Sequence, residues 1–213
     1  MRSLTAGRLL AHACLVSCFV LVLVACSPGG PSGPAPASVA LQRSDVPGGW
    51  VRCAWSGAVS QYIAAQRRHA PSTASELQSS WTQLRRLGAT SANTTGYAAG
   101  AADCDAPLGH GAGATALSWV VQYGDDAAAH RGYEHGVLGF PTPTGDRSQA
   151  GLLVGIATGL GTADAWTLTQ TTPAPPLYLA WWREGALTTY LLVLGISESL
   201  AGPIALRLEH RMQ

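Results

Sequence analysis

Leu177-Tyr178-Leu179-Ala180-Trp181-Trp182-Arg183, Glu184-Gly185 and Ala186-Leu187-Thr188-Thr189-Tyr190-Leu191-Leu192-Val193-Leu194 follow one another near the end of the chain and decide its fold. The two flanking runs are apolar at successive positions, not at alternate ones, so each predicts a strand removed from water on both faces. Glu184-Gly185 predicts a two-residue hairpin between them, although Glu is a weaker turn former than Asn or Asp. Such strands belong at the centre of a sheet covered by helices on at least one side. Neighbouring residues of a strand point to opposite faces, so Trp181 and Trp182 are expected to do the same. One of the two is expected on the less covered face beside Arg183, where an indole suits stacking on a sugar ring, a lipid or a partner protein. Trp181, Trp182 and Arg183 are therefore the candidate ligand-binding residues. For most of the seven tryptophans, burial in the core is the better reading, because each removes a large area from water.

Upstream, the period of the apolar residues changes several times. From Ser56 to Arg68, Val59, Tyr62, Ile63 and Gln66 fall at helical spacing, and Pro71 closes the segment. Thr73 and Glu76 form a capping box for a second helix, with Leu77, Trp81, Leu84 and Leu87 on one face, Arg85 and Arg86 in its last turn and Gly88 beyond. Thr94 to Asp103 and Thr115 to Tyr123 read as paired strands around a Gly/Pro/His-rich link, Ala106 to Ala114. Asp125 and Asp126 open a helix over Ala127 to Val137 that Gly132 weakens. Leu152 to Ala157 and Ala165 to Gln170 predict two more strands around Gly159-Leu160-Gly161. A last helix starts near Ser199 with Leu200, Ile204, Leu208 and Met212 as its stripe and Pro203 near its first turn. Together these elements predict an α+β domain, a mainly antiparallel sheet with helices packed on one face.

The N-terminus has a different character. Arg2 and Arg8 precede an uncharged stretch to Ala25, richest in apolar residues between Leu15 and Val24 and shorter than a spanning helix needs, which predicts a secretory signal over residues 1–25. Leu23-Val24-Ala25-Cys26 resembles the lipobox of bacterial lipoproteins. That resemblance implies that Cys26 carries a diacylglycerol thioether and becomes the first residue of the mature chain. Several acyl chains on one residue suffice for stable anchoring. A plain secreted protein with an unmodified Cys26 is the alternative. Residues 26–38, rich in Pro, Gly and Ser, predict an extended tether, and residues 39–213 a single extracytoplasmic domain.

Five cysteines then have three fates. Cys14 and Cys18 leave with the leader, Cys26 is the lipidation site, and Cys53 and Cys104 remain in the domain. In an oxidising compartment these two predict a disulfide over a metal pair or a reactive thiol, since two cysteines without clustered His or carboxylate make a poor zinc site. All thirteen basic residues are arginine, and losing Arg2 and Arg8 leaves eleven against twelve acids, a net charge of −1. No concentrated basic surface is present, so no nucleic-acid partner is expected.

No catalytic motif emerges. Gly195-Ile196-Ser197-Glu198-Ser199 lacks the final glycine of a nucleophile elbow, so Ser197 or Ser199 is read as a helix cap. His130 and His135 are five apart and miss the i, i+4 pairing of a zinc-binding helix, and His69, His110 and His210 are scattered. Gly155, Gly159 and Gly161 precede a strand where a dinucleotide loop requires a helix. No catalytic residue, metal or cofactor is assigned.

Four stretches carry a second resemblance: Ser44-Asp45-Val46-Pro47-Gly48-Gly49-Trp50, Ser118-Trp119-Val120-Val121-Gln122-Tyr123-Gly124-Asp125, Gly159-Leu160-Gly161-Thr162-Ala163-Asp164-Ala165 and Ala180-Trp181-Trp182. Their layout is similar to that of actinobacterial secreted lipoproteins, which are in turn similar to PsbP-like folds and to the extracellular sensor domains of bacterial serine/threonine kinases. The expected function is a binding or sensing module on the outer face of the cell membrane, taking a small molecule, an envelope component or a protein partner. A cell-envelope hydrolase whose site is assembled from distant residues, and a structural envelope protein, stay open as alternatives.

Overall fold

A computed structural model describes residues 33–108, 113–136, 142–143, 150–171 and 175–213. The leader, Cys26, the tether as far as Ser32 and His110 lie outside the described residues. In chain order the elements are α1 (Pro36–Val39), β1 (Val51–Arg52), β2 (Gly57–Ala58), α2 (Val59–His69), α3 (Pro71–Arg86), β3 (Ala89–Ala98), β4 (Thr115–Tyr123), α4 (Asp126–His135), β5 (Leu152–Val154), β6 (Ala165–Gln170), β7 (Leu177–Glu184), β8 (Leu187–Leu194) and α5 (Glu198–His210). Short 3-10 turns occupy Arg43–Asp45, Ala101–Leu108 and Gly155–Thr158.

The eight strands form one antiparallel sheet in the order β1-β3-β4-β8-β7-β6-β5, and β2 also pairs with β3. The hairpin β7–β8 lies inside it, and every residue of β4 is buried. The fold is α+β. Register explains where the aromatics go, because residues directly opposite one another share a face. Thr94, Trp119, Tyr190, Trp181 and Trp166 line up across β3, β4, β8, β7 and β6. On that face Tyr62 of α2 meets Trp119 edge-on at 6.3 Å, and Tyr133 of α4 stacks on Trp181 at 6.0 Å. The next row, Asn93, Val120, Thr189, Trp182 and Ala165, points the other way.

That second row is also covered. The expectation of helices on one face alone gives way to a sheet enclosed on both. α2, α3 and α4 pack over the Trp119–Trp181 face. α5 covers the Trp182 face with Ala201, Ile204, Ala205 and Leu208, joined by Val39, Ala40, Leu41, Val46 and Trp50 of the N-terminal segment. The tether expected to run to Ser38 is therefore already ordered at α1, where Pro36 and Val39 are buried.

Several boundaries move for identifiable reasons. α3 begins at Pro71 with Ala70 as N-cap, not at a Thr73 capping box, because proline at the first helical position loses no hydrogen bond that a helix would have made. The strand expected over Thr94–Asp103 is β3, Ala89–Ala98, and Asp103 belongs to the following 3-10 turn. The β7–β8 turn is Gly185-Ala186, since Glu184 pairs with Leu187 and Gly185 takes the positive φ of 51°. In α5, Leu200 is 54% exposed and Ala201 takes the inward position, while Pro203 lies inside the helix on its exposed side. α4 opens as expected, with Asp125 accepting from the Ala128 N–H at 2.7 Å.

Gly132 is a packing requirement, not a weakness: a Cβ there would lie 2.1 Å from Oη of the fully buried Tyr123. Gly132→Ala should therefore lower stability by about 1–3 kcal/mol through overpacking, despite the gain of about 1 kcal/mol in helix propensity. A urea midpoint equal to or above wild type would show the contact to be slack. Burial also pushes Tyr62, Tyr123 and Tyr178 up to about 12, and Tyr133 and Tyr190 further still. The folded state thus holds these protons more tightly than the unfolded chain, whose tyrosines ionise near 10. Their contribution is intact below about pH 10 and lost as pH climbs through about 12, so phenolate absorbance should rise together with loss of circular dichroism. Ionisation of most tyrosines near pH 10 with the fold intact would contradict this.

Candidate functional site

α2 has two working sides. Val59, Tyr62, Ile63, Ala65 and Gln66 turn inward, and the exposed Gln61, Ala64, Arg68 and His69, with the edge of Ala65, form one wall of an open cleft of about 530 Å3. Its other walls come from β1 with Val51 and Arg52, from Ala54 and Trp55, and from Ala101, Cys104 and Asp105 of the following 3-10 turn. The volume lies in the range of small-molecule sites.

The cleft is made by an interruption in an edge strand. β1 and β2 both lie along β3, with Val51 opposite Ala98 and Gly57 opposite Thr94, and Cys53–Ser56 loop out between them. The loop is pinned at Gly96: Cys53 N–H donates to its carbonyl at 2.9 Å, and Ser56 Oγ both donates to that carbonyl at 3.2 Å and accepts from its N–H at 3.0 Å. Trp55 lies so close over Gly96 that a Cβ there would sit 2.0 Å from the indole. The ring is 7% exposed, packs 5.0 Å from Tyr62, and its N–H donates to the Cys104 carbonyl at 3.1 Å. Cys53 is disulfide-bonded to Cys104, with Cα atoms 5.5 Å apart, so the predicted pair ties the loop to the third wall.

Charge at the cleft is uneven. Arg52 and Arg68 are both exposed and have no ion-pair partner among the described residues, whereas Asp105 is the one carboxylate among the residues of these walls. Arg183, Arg207 and Arg211 do meet carboxylates. Arg183 binds Asp164 through Nε at 2.7 Å and also meets Asp126 and the Gly185 carbonyl. Partial burial disfavours its charge, but the hydrogen bond and field of Asp164, then Asp126, outweigh that and raise its pKa.

The expected binding group is thereby corrected. Trp181 and Trp182 do point to opposite faces, but both are fully buried, because helices cover each face. Neither offers a ring to a ligand, and Arg183 is committed to its carboxylates. Ser197 is the N-cap of α5 but makes no side-chain cap bond; its Oγ lies 2.8 Å from that of Ser199. His130 touches Asp164 and Glu134, His135 hydrogen-bonds Gln83 at 2.7 Å, and His210 lies 3.9 Å from Glu209. Among the described residues no group of three or more His, Cys, Asp or Glu could hold a metal ion, and no helix is long and apolar enough to cross a membrane. Gly159 and Gly161 take positive φ in a turn that leads into β6.

The sequence reading missed the cleft. The signal was available in the flanks of the two cysteines, since a Cys53–Cys104 bond necessarily brings residues 52–55 against 101–105. Comparison with known proteins finds no family model, curated protein or solved structure that matches this chain.

The disulfide closes a separation of 51 residues. Reduction should lower stability by about 4 kcal/mol on the chain-entropy argument. Thiol titration of the native protein before and after reductant, with a urea curve of each state, checks both parts; two free thiols at the outset would remove the constraint altogether.

Proposed function

We propose that this protein is an exported binding or sensing module, tethered by lipid on Cys26 to the outer face of the cell membrane, that takes a small ligand in the cleft beside the Cys53–Cys104 disulfide. The cleft carries the reading: walls from three separate parts of the chain converge on about 530 Å3, lined by Trp55, alanines and polar side chains together. A disulfide supports an extracytoplasmic home, because cytosolic thiols are held reduced in most cells. The Leu23-Val24-Ala25-Cys26 stretch supports the anchor, and the Pro/Gly-rich residues behind it would hold the domain clear of the bilayer.

Cells fed an alkyne fatty acid should label the wild-type chain, and Cys26→Ala should abolish the label and release the protein from membranes. Undiminished label in the mutant would sink the anchor. Ligand binding by the cleft does not depend on the anchor, so the two halves of the proposal fail independently.

A further inference from the structure

The outer side of α5 is apolar where a surface helix is ordinarily polar. Leu200 (54% exposed), Pro203 and Leu206 (40% exposed) recur at every third residue, and the helical period sets them on an outward arc of about 120°. Neither acid of the helix falls on that arc: Glu198 lies on a flank and Glu209 is buried. Arg207 and His210 follow in the last turn. The N-terminal segment of the same layer adds the exposed Arg43, and the exposed Arg52 lies opposite Tyr97, whose ring packs on this side of the sheet. Residues 33–52 and 198–213 thus carry four arginines against three acids, of which Asp45 and Glu209 are buried. An exposed surface of leucine, proline and arginine suits the boundary between acyl chains and phosphate headgroups.

The start of the described chain belongs to the same layer. Val39 and Ala40 are buried with α5, and Arg211 at its C-cap donates to both of their carbonyls. Cys26 precedes Gly33 by seven positions, a span of at most about 25 Å when fully extended. A compact domain of this size has a radius of about 20 Å, so passing round it to the opposite side takes about 60 Å of chain. A lipid on Cys26 therefore holds the α5 layer close to the bilayer and does not reach far enough to lay the α2–α4 layer on it. Resting on the reading that Cys26 carries the lipid, we infer that the outer face of α5 docks on the phospholipid surface, with Leu200, Pro203 and Leu206 at the edge of the acyl region and Arg43 and Arg52 beside headgroup phosphates. The α2 wall of the cleft then faces away from the lipid, open to solutes.

The test takes the protein as cells produce it, with leucine and alanine methyls isotope-labelled, into nanodiscs of phosphatidylcholine and phosphatidylglycerol that contain a lipid with a nitroxide on its acyl chain. Intact mass first reports the acyl groups. Methyl signals of Leu200 and Leu206 should lose most of their intensity beside the nitroxide, while Ala64 and Ala127, exposed on α2 and α4, should keep theirs. Leu200→Ser, a change on the exposed side, should restore about half or more of the Leu206 signal, since interfacial binding scales with the apolar area buried. Full leucine signals in the acylated protein, losses at Ala64 and Ala127 equal to those of the leucines, or an unchanged loss at Leu206 in the variant would overturn the docked face and leave the anchor standing. A chain without acyl mass that washes off the discs would overturn the anchor reading, and the docked face with it.

Discussion

The side chain of Asp45 is 1% exposed, and a carboxylate so far from water is tolerable only where cations and donors surround it. Arg211 meets it through both terminal nitrogens, at 3.1 and 2.6 Å, and Arg207 approaches at 3.3 Å while also donating to the Asp45 carbonyl. The Gln42 N–H completes the set at 2.8 Å. Both arginines belong to α5 and its C-cap, and Asp45 to the 3-10 turn that follows α1, so one cluster joins the first and last described elements of the domain. Arg211 extends the join to the carbonyls of Val39 and Ala40. What depends on it is the second face of the sheet. β4, β7 and β8 are too apolar to leave either face in water, and α5 alone does not cover the Trp182 side; the segment from Val39 to Trp50 completes it. Leu41 N–H even donates to Ser118 Oγ of the buried β4, at 3.0 Å, satisfying a polar group that burial would otherwise strand.

Which parts of this were legible in the sequence follows from how local the signals are. The hairpin β7–β8, the limits of β4 and the inward stripe of α2 are periodic features, and periodicity survives folding. The number of covered faces is not periodic. Trp182 with its neighbours Ala180 and Leu191 is as consistent with a weakly covered face as with a fully covered one, and the difference rests on whether Ala201 or Leu200 of α5 turns inward. Alanine wins because it permits close approach to the sheet, leaving the larger Leu200 in water. Local rules also compete: Thr73 and Glu76 form an acceptable cap, but Pro71 at the first helical position offers an earlier start, and the helix takes it.

Most tryptophans are buried as expected, but the expectation that one of Trp181 and Trp182 lies on a less covered face failed for the same reason. Alternation along a strand assigns Trp181 and Trp182 to opposite sides, and that part holds. It says nothing about what lies above each side. Trp181 is capped by Tyr133 of α4, to whose carbonyl its N–H donates at 3.2 Å, and Trp182 is enclosed by residues of α5 and the N-terminal segment. Both contacts span long sequence separations, which no window of residues contains.

The cleft shows how one long-range bond can expose a site that local patterning hides. An unbroken strand from Val51 to Ala58 would pair with β3 throughout and leave no recess. Instead Cys53 turns out of line toward Cys104, Ser56 takes over the hydrogen bonds of Gly96, and Trp55 settles where only a glycine leaves room for it. The cost of interrupting the ladder falls at the edge of the sheet, where the fewest pairs are lost, and the disulfide offsets it by constraining the unfolded chain. Two cysteines read first as a stabilising staple are thus also the frame of the candidate site.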